Sequence, residues 1–307
     1  MPTSILVPTG TGTQGRIAVS EFLSRGHTVH VLVRNPSSDA AEVLQSQGAI
    51  LHPGDLDSID SIEDAMDGVD SVFVSLPANP FDTAAEERYG RNVIQAAKNK
   101  KIKTFIYSTV ARTGEHESFP GWNDDYPLAW YWKTKDLLEN EVRNAGFQYW
   151  TILRPAVFMQ NFTRPMVEYL HPGLTDAREL RVRYNPDTKL DIVDVRDIAR
   201  FAAAAIEAPD KFSFQHIGLA AESLTAEQLA DQLGQISGTK ITVVYTTEEE
   251  AEGRIAAGDF MPSSQAWHRD FGYGVDIEAA KQWGVPLTPL LKSLDKEVLG
   301  KLHDQNQ

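Results

Sequence analysis

Over its first 155 residues the chain alternates short apolar, β-branched runs with longer stretches of helical periodicity, a rhythm that few architectures accept. The runs at 4–8, 28–33, 49–52, 71–75, 104–108 and 149–153 predict strands, and the stretches between them predict helices. Several of these runs are apolar at nearly every position instead of every second one. Strands covered by helices on both faces read this way, so the runs predict the centre of a parallel sheet. Because crossovers between parallel strands are right-handed, the expected class is α/β with a doubly wound parallel sheet.

Beyond Arg154 the rhythm breaks. Pro155, Pro165, Pro172 and Pro186 interrupt the chain, and more polar strand-like pieces follow near 189–193, 213–217 and 240–245. Residues 156–307 therefore predict a smaller α+β region, partly interleaved with the first domain (1–155), that supplies the lip and floor of a substrate pocket. A helix over 195–208 is expected to pack back on the sheet. The run Glu248-Glu249-Glu250 reads as a solvated helix face, and the polar tail from residue 302 reads as frayed.

Composition narrows the function. Twenty-nine Lys and Arg stand against 43 Asp and Glu, a formal net charge of −14, which argues against a surface that tracks nucleic acid. The absence of Cys removes disulfides, thiolate metal sites and cysteine nucleophiles. Eight His without ligand spacing give no support for a metal site. No basic leader precedes the first strand and no run of about 18 apolar residues occurs. The expectation is a soluble, cytoplasmic protein with a small-molecule substrate, no nucleic-acid partner and no membrane partner. The sequence carries no G-x-S-x-G elbow and no G-x-x-x-x-G-K-S/T loop, so hydrolase and P-loop readings fall away.

What the chain does carry, between the first strand and the first helix, is Thr9-Gly10-Thr11-Gly12-Thr13-Gln14-Gly15. A glycine-bearing turn there lets backbone approach a pyrophosphate, and the helix behind it aims unpaired N–H groups and its positive end at the anion. An acid about 20 residues further on would accept from a ribose 2′-hydroxyl; nineteen residues past Gly15 the chain has Arg34 instead. A guanidinium favours a 2′-phosphate, and hence NADP(H). Arg16 is a second phosphate contact on the same reading, or an exposed helix residue. Asp55 and Leu56, after the third strand, and Ser75 and Leu76, after the fourth, lie at carboxyl ends of strands where such sheets bind ligands. Asp55 is placed to accept from an adenine amino group with Leu56 against the ring, although turn chemistry explains an Asp there equally well.

Tyr131 and Lys135 are spaced i, i+4 at the start of a helix, so they share one face. A phenol of pKa about 10 is a poor acid–base group near neutrality, and an ammonium beside it favours the phenolate. Tyr131 and Lys135 are the expected catalytic pair, with Lys135 also holding the nicotinamide ribose. Ser108, or its neighbour Thr109, ends the fifth strand where a hydroxyl can meet a substrate carbonyl or imine. Trp122, Tyr126, Trp130, Trp132 and Phe158 either line a pocket for a flat, apolar substrate or pack the core, Trp132 above all.

With these residues in view the chain resembles the NmrA-like family of atypical short-chain dehydrogenase/reductases. The likeness rests on 9–15, Arg34, Gly54-Asp55-Leu56-Asp57, Val69-Asp70-Ser71-Val72-Phe73, the stretch from Thr151 to Phe162 and Asp194-Val195-Arg196-Asp197-Ile198-Ala199. It implies a Rossmann-type domain with NADP(H) at the turn, Arg34 on the 2′-phosphate, and backbone around Pro155, Val157 and Phe158 against the nicotinamide. Against the family loop G-A-T-G-x-x-G, Thr9 replaces the first Gly and Gly10 the Ala, with Gly10 expected to supply the missing flexibility. Members that only sense the nicotinamide pool generally lack the Tyr present here as Tyr131. Isoflavone-reductase-like relatives imply instead that Lys135 is the main acid–base group. The leading expectation is an NADP(H)-dependent reductase of a C=O, C=N or conjugated C=C bond in a secondary-metabolite or quinone-like substrate. The alternatives are a non-catalytic NADP(H)-sensing regulator that docks a partner protein, and a non-redox cyclase or isomerase with a structural cofactor.

Overall fold

The computed structural model describes residues 2–296. Its chain divides into two compact units. Among the described residues the first comprises the chain up to Glu117, Leu128–Pro155 and Val195–Gly218; the second comprises Ser118–Pro127, Ala156–Asp194 and the residues from Leu219 on. The expected frayed tail from residue 302 lies outside the described residues.

The first unit is built from β1 (Ser4–Val7), α1 (Thr13–Ser24), β2 (Thr28–Val33), α2 (Asp39–Ser46), β3 (Ile50–Pro53), α3 (Ile59–Ala65), β4 (Ser71–Val74), α4 (Ala85–Asn99), β5 (Thr104–Ser108), α5 (Ala129–Asn144) and β6 (Tyr149–Pro155). Adjacent strands among β1 to β6 pair in parallel, for example Ile5 with Val29 and Ile106 with Thr151. With β10 (Gln215–Leu219) at one edge, the sheet order is β10-β6-β5-β4-β1-β2-β3, the doubly wound pattern with its crossover beside β1. Ile5, Val72, Phe73 and Ile106 are fully enclosed, as continuous apolarity requires. One sheet face is packed by Leu6, Val72, Phe105, Tyr107 and Ile152 against Ile62, Val93, Ala97 and Leu138 of α3, α4 and α5.

The helix Val195–Glu207 packs on α1, β5 and β6, on the expected return to the sheet. The strand anticipated at 213–217 forms as β10 (Gln215–Leu219), two residues later, and joins the large sheet beside β6 instead of the C-terminal region. Its exposed Gln215 and His216 disguise it because it is an edge strand, with only Ile217 and Leu219 buried.

The second unit holds two small sheets. β7 (Val157–Phe158) pairs in parallel with β9 (Lys189–Val193), which pairs antiparallel with β11 (Glu222–Thr225). β8 (Glu179–Val182) pairs with β12 (Thr242–Tyr245). Met159, Phe162, Leu180, Leu190, Leu229 and Leu233 form its core. The acidic run 248–250 opens a helix capped reciprocally by Thr247 and Glu250, with all three carboxylates in the first turn, where they oppose the helix dipole.

Candidate active site

The turn that leaves β1 is held by its own backbone: Gly12 N–H donates to the Thr9 carbonyl at 3.0 Å, and α1 starts one residue later. A side chain at Gly15 would put its first carbon 2.0 Å from the Thr9 carbonyl oxygen, so only glycine lets the helix close onto the turn. Gly10 is glycine for a different reason from the one expected. Its backbone is not in the left-handed region, and a Cβ there would strike Val31 at 2.4 Å. Close packing against β2, not flexibility, sets that position. Thr9 takes over the first-glycine position by donating its hydroxyl to the Ser75 carbonyl at 3.0 Å, which stitches the end of β1 to the end of β4. The first turn of α1 has neither a side-chain cap nor an acidic residue, and Thr11, Gly12 and Thr13 are exposed. An uncapped positive helix end beside exposed backbone fits a pyrophosphate.

Arg34 follows β2, is exposed, and makes no ion pair with another described residue; Arg16, in the first turn and a half of α1, is also exposed. Asp55 is engaged in turn chemistry, its carboxylate accepting the Asp57 N–H at 2.9 Å. Leu56 packs against the core, and its carbonyl accepts from Asn92 at 2.8 Å. Leu76 is buried, and its carbonyl lies 3.5 Å from the Lys135 ammonium.

α5 begins at Ala129 behind Leu128, whose φ of 63° turns the chain sharply into the helix. Tyr131 and Lys135 do share a face: the Lys135 ammonium lies 5.4 Å from the centre of the Tyr131 ring, over its π face. Lys135 is only 3% exposed, and sequence reasoning missed what accompanies it. Glu86, in the first turn of α4 and fully buried, places a carboxylate oxygen 2.5 Å from the ammonium. One turn further along α4 is Gly90, where a Cβ would collide with Leu138 at 2.5 Å. Glu86, Gly90, Val93 and Ala97 lie on one buried stripe of α4. A carboxylate in line with small and apolar residues was the signal available in the sequence. Tyr107 of β5 is buried against Glu86, and burial first, then the nearby Glu86 charge, drives its phenol well above the usual range. It is a neutral wall of the site.

Ser108 and Thr109 part company. The Ser108 hydroxyl donates to Gln14 Oε1 at 2.7 Å, bracing the phosphate turn from β5. Thr109 donates to Glu139 at 2.6 Å, and Glu139 also receives the Arg154 guanidinium at 2.5 and 3.1 Å. That buried bidentate pair locks α5 onto β6. Pro155 ends β6 with its carbonyl accepting the Ala111 N–H at 2.9 Å, whereas Val157 and Phe158, half-buried, form β7 in the second unit. Among the aromatics, Trp132 is buried at 4% exposure. Trp122 and Tyr126 pack with Phe119, whose ring also meets Trp267 and Phe271, in an aromatic cluster internal to the second unit. No group of three metal-ligating side chains occurs among the described residues, and no helix there is long and apolar enough to cross a membrane.

The chain is similar to several known proteins. The NAD(P)H azoreductase of Xenophilus azovorans is 28% identical over 265 residues, covering 85% of this chain and 83% of that protein. The photosystem II assembly factor Ycf39 of a Synechocystis strain is 28% identical over 207 residues, covering 66% of this chain and 58% of that protein's length, so the chain spans little more than half of it. The crystal structure of NmrA, a negative transcriptional regulator in complex with NADP, superposes with a TM-score of 0.74 over 97% of this chain and 95% of that one. Identity is 20%, a likeness of fold. An oxidoreductase is thus among the proteins similar in sequence, and the regulator is similar in fold. The NmrA-like family itself matches residues 1–284, and the chain belongs to that family.

Proposed function

We propose that this protein is an NADP(H)-dependent reductase that transfers a hydride to a C=O, C=N or conjugated C=C bond of a small, flat, largely apolar substrate. The observation that carries the reading is a buried lysine lying one helical turn from Tyr131 and over its ring, in the unit that also holds the glycine turn. A lysine is almost never sequestered without a task or a partner, and this one adjoins the only phenol on its helix face. The backbone at 9–15 and the uncapped start of α1 would hold the pyrophosphate, Arg34 the 2′-phosphate, and Asp55 and Leu56 the adenine. Bound NADPH supplies a hydride to the substrate carbon. Tyr131 donates its hydroxyl proton to the heteroatom, or to the conjugated carbon, that receives the displaced electron pair, and solvent restores that proton. Lys135 steadies the transient phenolate, and Ser108 acts on the chemistry only through Gln14 and the turn.

A family relative named as an azoreductase, aligned over most of both chains, supports the reductase reading at the level of reaction class. The regulator alternative is favoured by one specific feature: the Lys135 charge is met by Glu86, so its burial has a reason apart from catalysis. Mixing the protein with NADPH and a panel of quinones, azo dyes, imines and enones, while following loss of reduced-cofactor absorbance, separates the two. Turnover that falls by about a hundredfold or more in Tyr131→Phe, the scale of general acid catalysis, supports the reductase. Tight NADPH binding with no turnover of any acceptor supports the regulator.

A further inference from the structure

Glu86 has no role in the chemistry described so far, yet its surroundings are unusual. It is fully buried, and its carboxylate faces the Lys135 ammonium and the Tyr107 phenol. Its charge partner among the described residues is the Lys135 ammonium at 2.5 Å. A buried ion pair is a poor way to stabilise a fold, since apolar residues of similar volume do as well or better. The fold nevertheless goes to some length to build it. Gly90 leaves room for Leu138, which a Cβ there would strike at 2.5 Å, so α4 and α5 pack closely one turn from the Glu86–Lys135 pair. The Tyr107 phenol closes the pocket from β5 and adds no charge. What the arrangement delivers is a single ammonium with few places to go, held between the Leu76 carbonyl, Glu86 and the face of Tyr131.

We infer that Glu86 is a positioning residue, which acts through Lys135 by anchoring its ammonium, charged, against Tyr131. The inference rests on the reductase reading for its catalytic consequence and on the geometry alone for its action on Lys135. Without the carboxylate, the ammonium stands alone in a water-poor pocket, where the charged form is disfavoured. Glu86→Gln is therefore expected to lower kcat at least tenfold and to move the basic limb of the kcat–pH profile down by a unit or more. Glu86→Asp is expected to recover part of the rate and most of the profile. A Glu86→Gln protein that keeps its profile and rate overturns the inference.

Should Glu86→Gln fail to fold, the double variant Glu86→Gln/Lys135→Met, which leaves no lone charge, is compared with Lys135→Met. Equal kcat in the two is the expected result; a further loss beyond twofold in the double variant overturns action through Lys135. Because these readouts need turnover, a titration independent of it completes the test. Carbon-13 lysine labelling reports the protonation of Lys135 through its Cε resonance, assigned by its disappearance in Lys135→Met. A titration moved to lower pH by a unit or more in Glu86→Gln sustains the inference even if no acceptor is ever reduced, and an unmoved titration overturns it even if the enzyme turns over.

Discussion

The two units differ in how they hold several of their buried ionisable groups. In the first, buried charge meets charge: Glu86 with Lys135, Glu139 with Arg154, and Asp197 with Arg200 at 2.8 Å. In the second, the enclosed titratable groups around the aromatic cluster are held neutral. Burial first, then the neighbouring His171, pushes His268 down to about 3, and burial with the nearby Arg254 pushes His171 down to about 4. Burial likewise drives the phenols of Tyr184 and Tyr273 far up. Here His171 stacks on Phe162, and His268 packs edge-on against Trp267 and Tyr273. Even the buried Asp191 accepts from a neutral donor, the Val275 N–H. Ion pairs fix groups in position and neutral rings fill space, so the unit built of pairs is the one suited to oriented chemistry.

The sharpest way to break this contrast is acid. The folded-state imidazoles of His171 and His268 lie below the usual value of about 6.5, so between the two values the unfolded chain binds more protons. The stability these two groups contribute is complete above pH 6.5 and is lost as the pH falls toward 4 and then 3. Each unit of separation is worth about 1.4 kcal/mol, so the expected loss between pH 7 and 4.5 is several kcal/mol. Urea midpoints at the two pH values measure it, and His268→Gln is expected to flatten the dependence. An unchanged slope in that variant would mean the second unit is not where acid acts. In the first unit the corresponding blow is Glu139→Gln, which strips Arg154 of its charge partner. Breaking a buried pair costs about 3–5 kcal/mol, at the lower end here because Arg154 is partly exposed. A fall in unfolding free energy of under about 1 kcal/mol would make that pair a surface one in effect.

Much of the first unit was legible in advance because its strands are buried on both faces, and a run such as Ser71-Val72-Phe73-Val74 has little else it can become. The glycine turn was equally plain, since Gly15 answers to a clash that any sequence with this fold must avoid. The face shared by Tyr131 and Lys135 followed from helical spacing. Glu86 did not, because its meaning depends on α4 and α5 touching at Gly90 and Leu138, 48 positions apart and unconnected by any local period. Thr9 escaped for the same reason: its hydroxyl replaces a glycine's task only once β4 lies alongside β1. β10 was misplaced because an edge strand carries half the apolar signal of a central one.

Smaller effects test whether the first unit's charges are arranged for a ligand. Gly15→Ala pushes a carbon to 2.0 Å from the Thr9 carbonyl, so α1 must back away from the turn. NADPH affinity is expected to fall by at least tenfold, with a smaller change in the unfolding midpoint of the apoprotein, as calorimetry and urea titration would show. Loss of fold without selective loss of binding would make the glycine purely architectural.

Arg34 gives the mildest and most selective case. Its guanidinium is exposed and has no ionic partner among the described residues, unlike Arg154 and Arg200 in the same unit. Substituting it therefore leaves no buried charge stranded, and stability should hardly move. What should change is discrimination. A guanidinium on a 2′-phosphate adds a charge-assisted contact that NADH cannot make, so Arg34→Ala is expected to weaken NADPH by about tenfold, or about 1.4 kcal/mol, while NADH binding stays within twofold. If both dinucleotides weaken alike, Arg34 acts on the turn as a whole. If neither weakens, the preference for the phosphorylated cofactor belongs to another cation, with Arg16 the first to exchange.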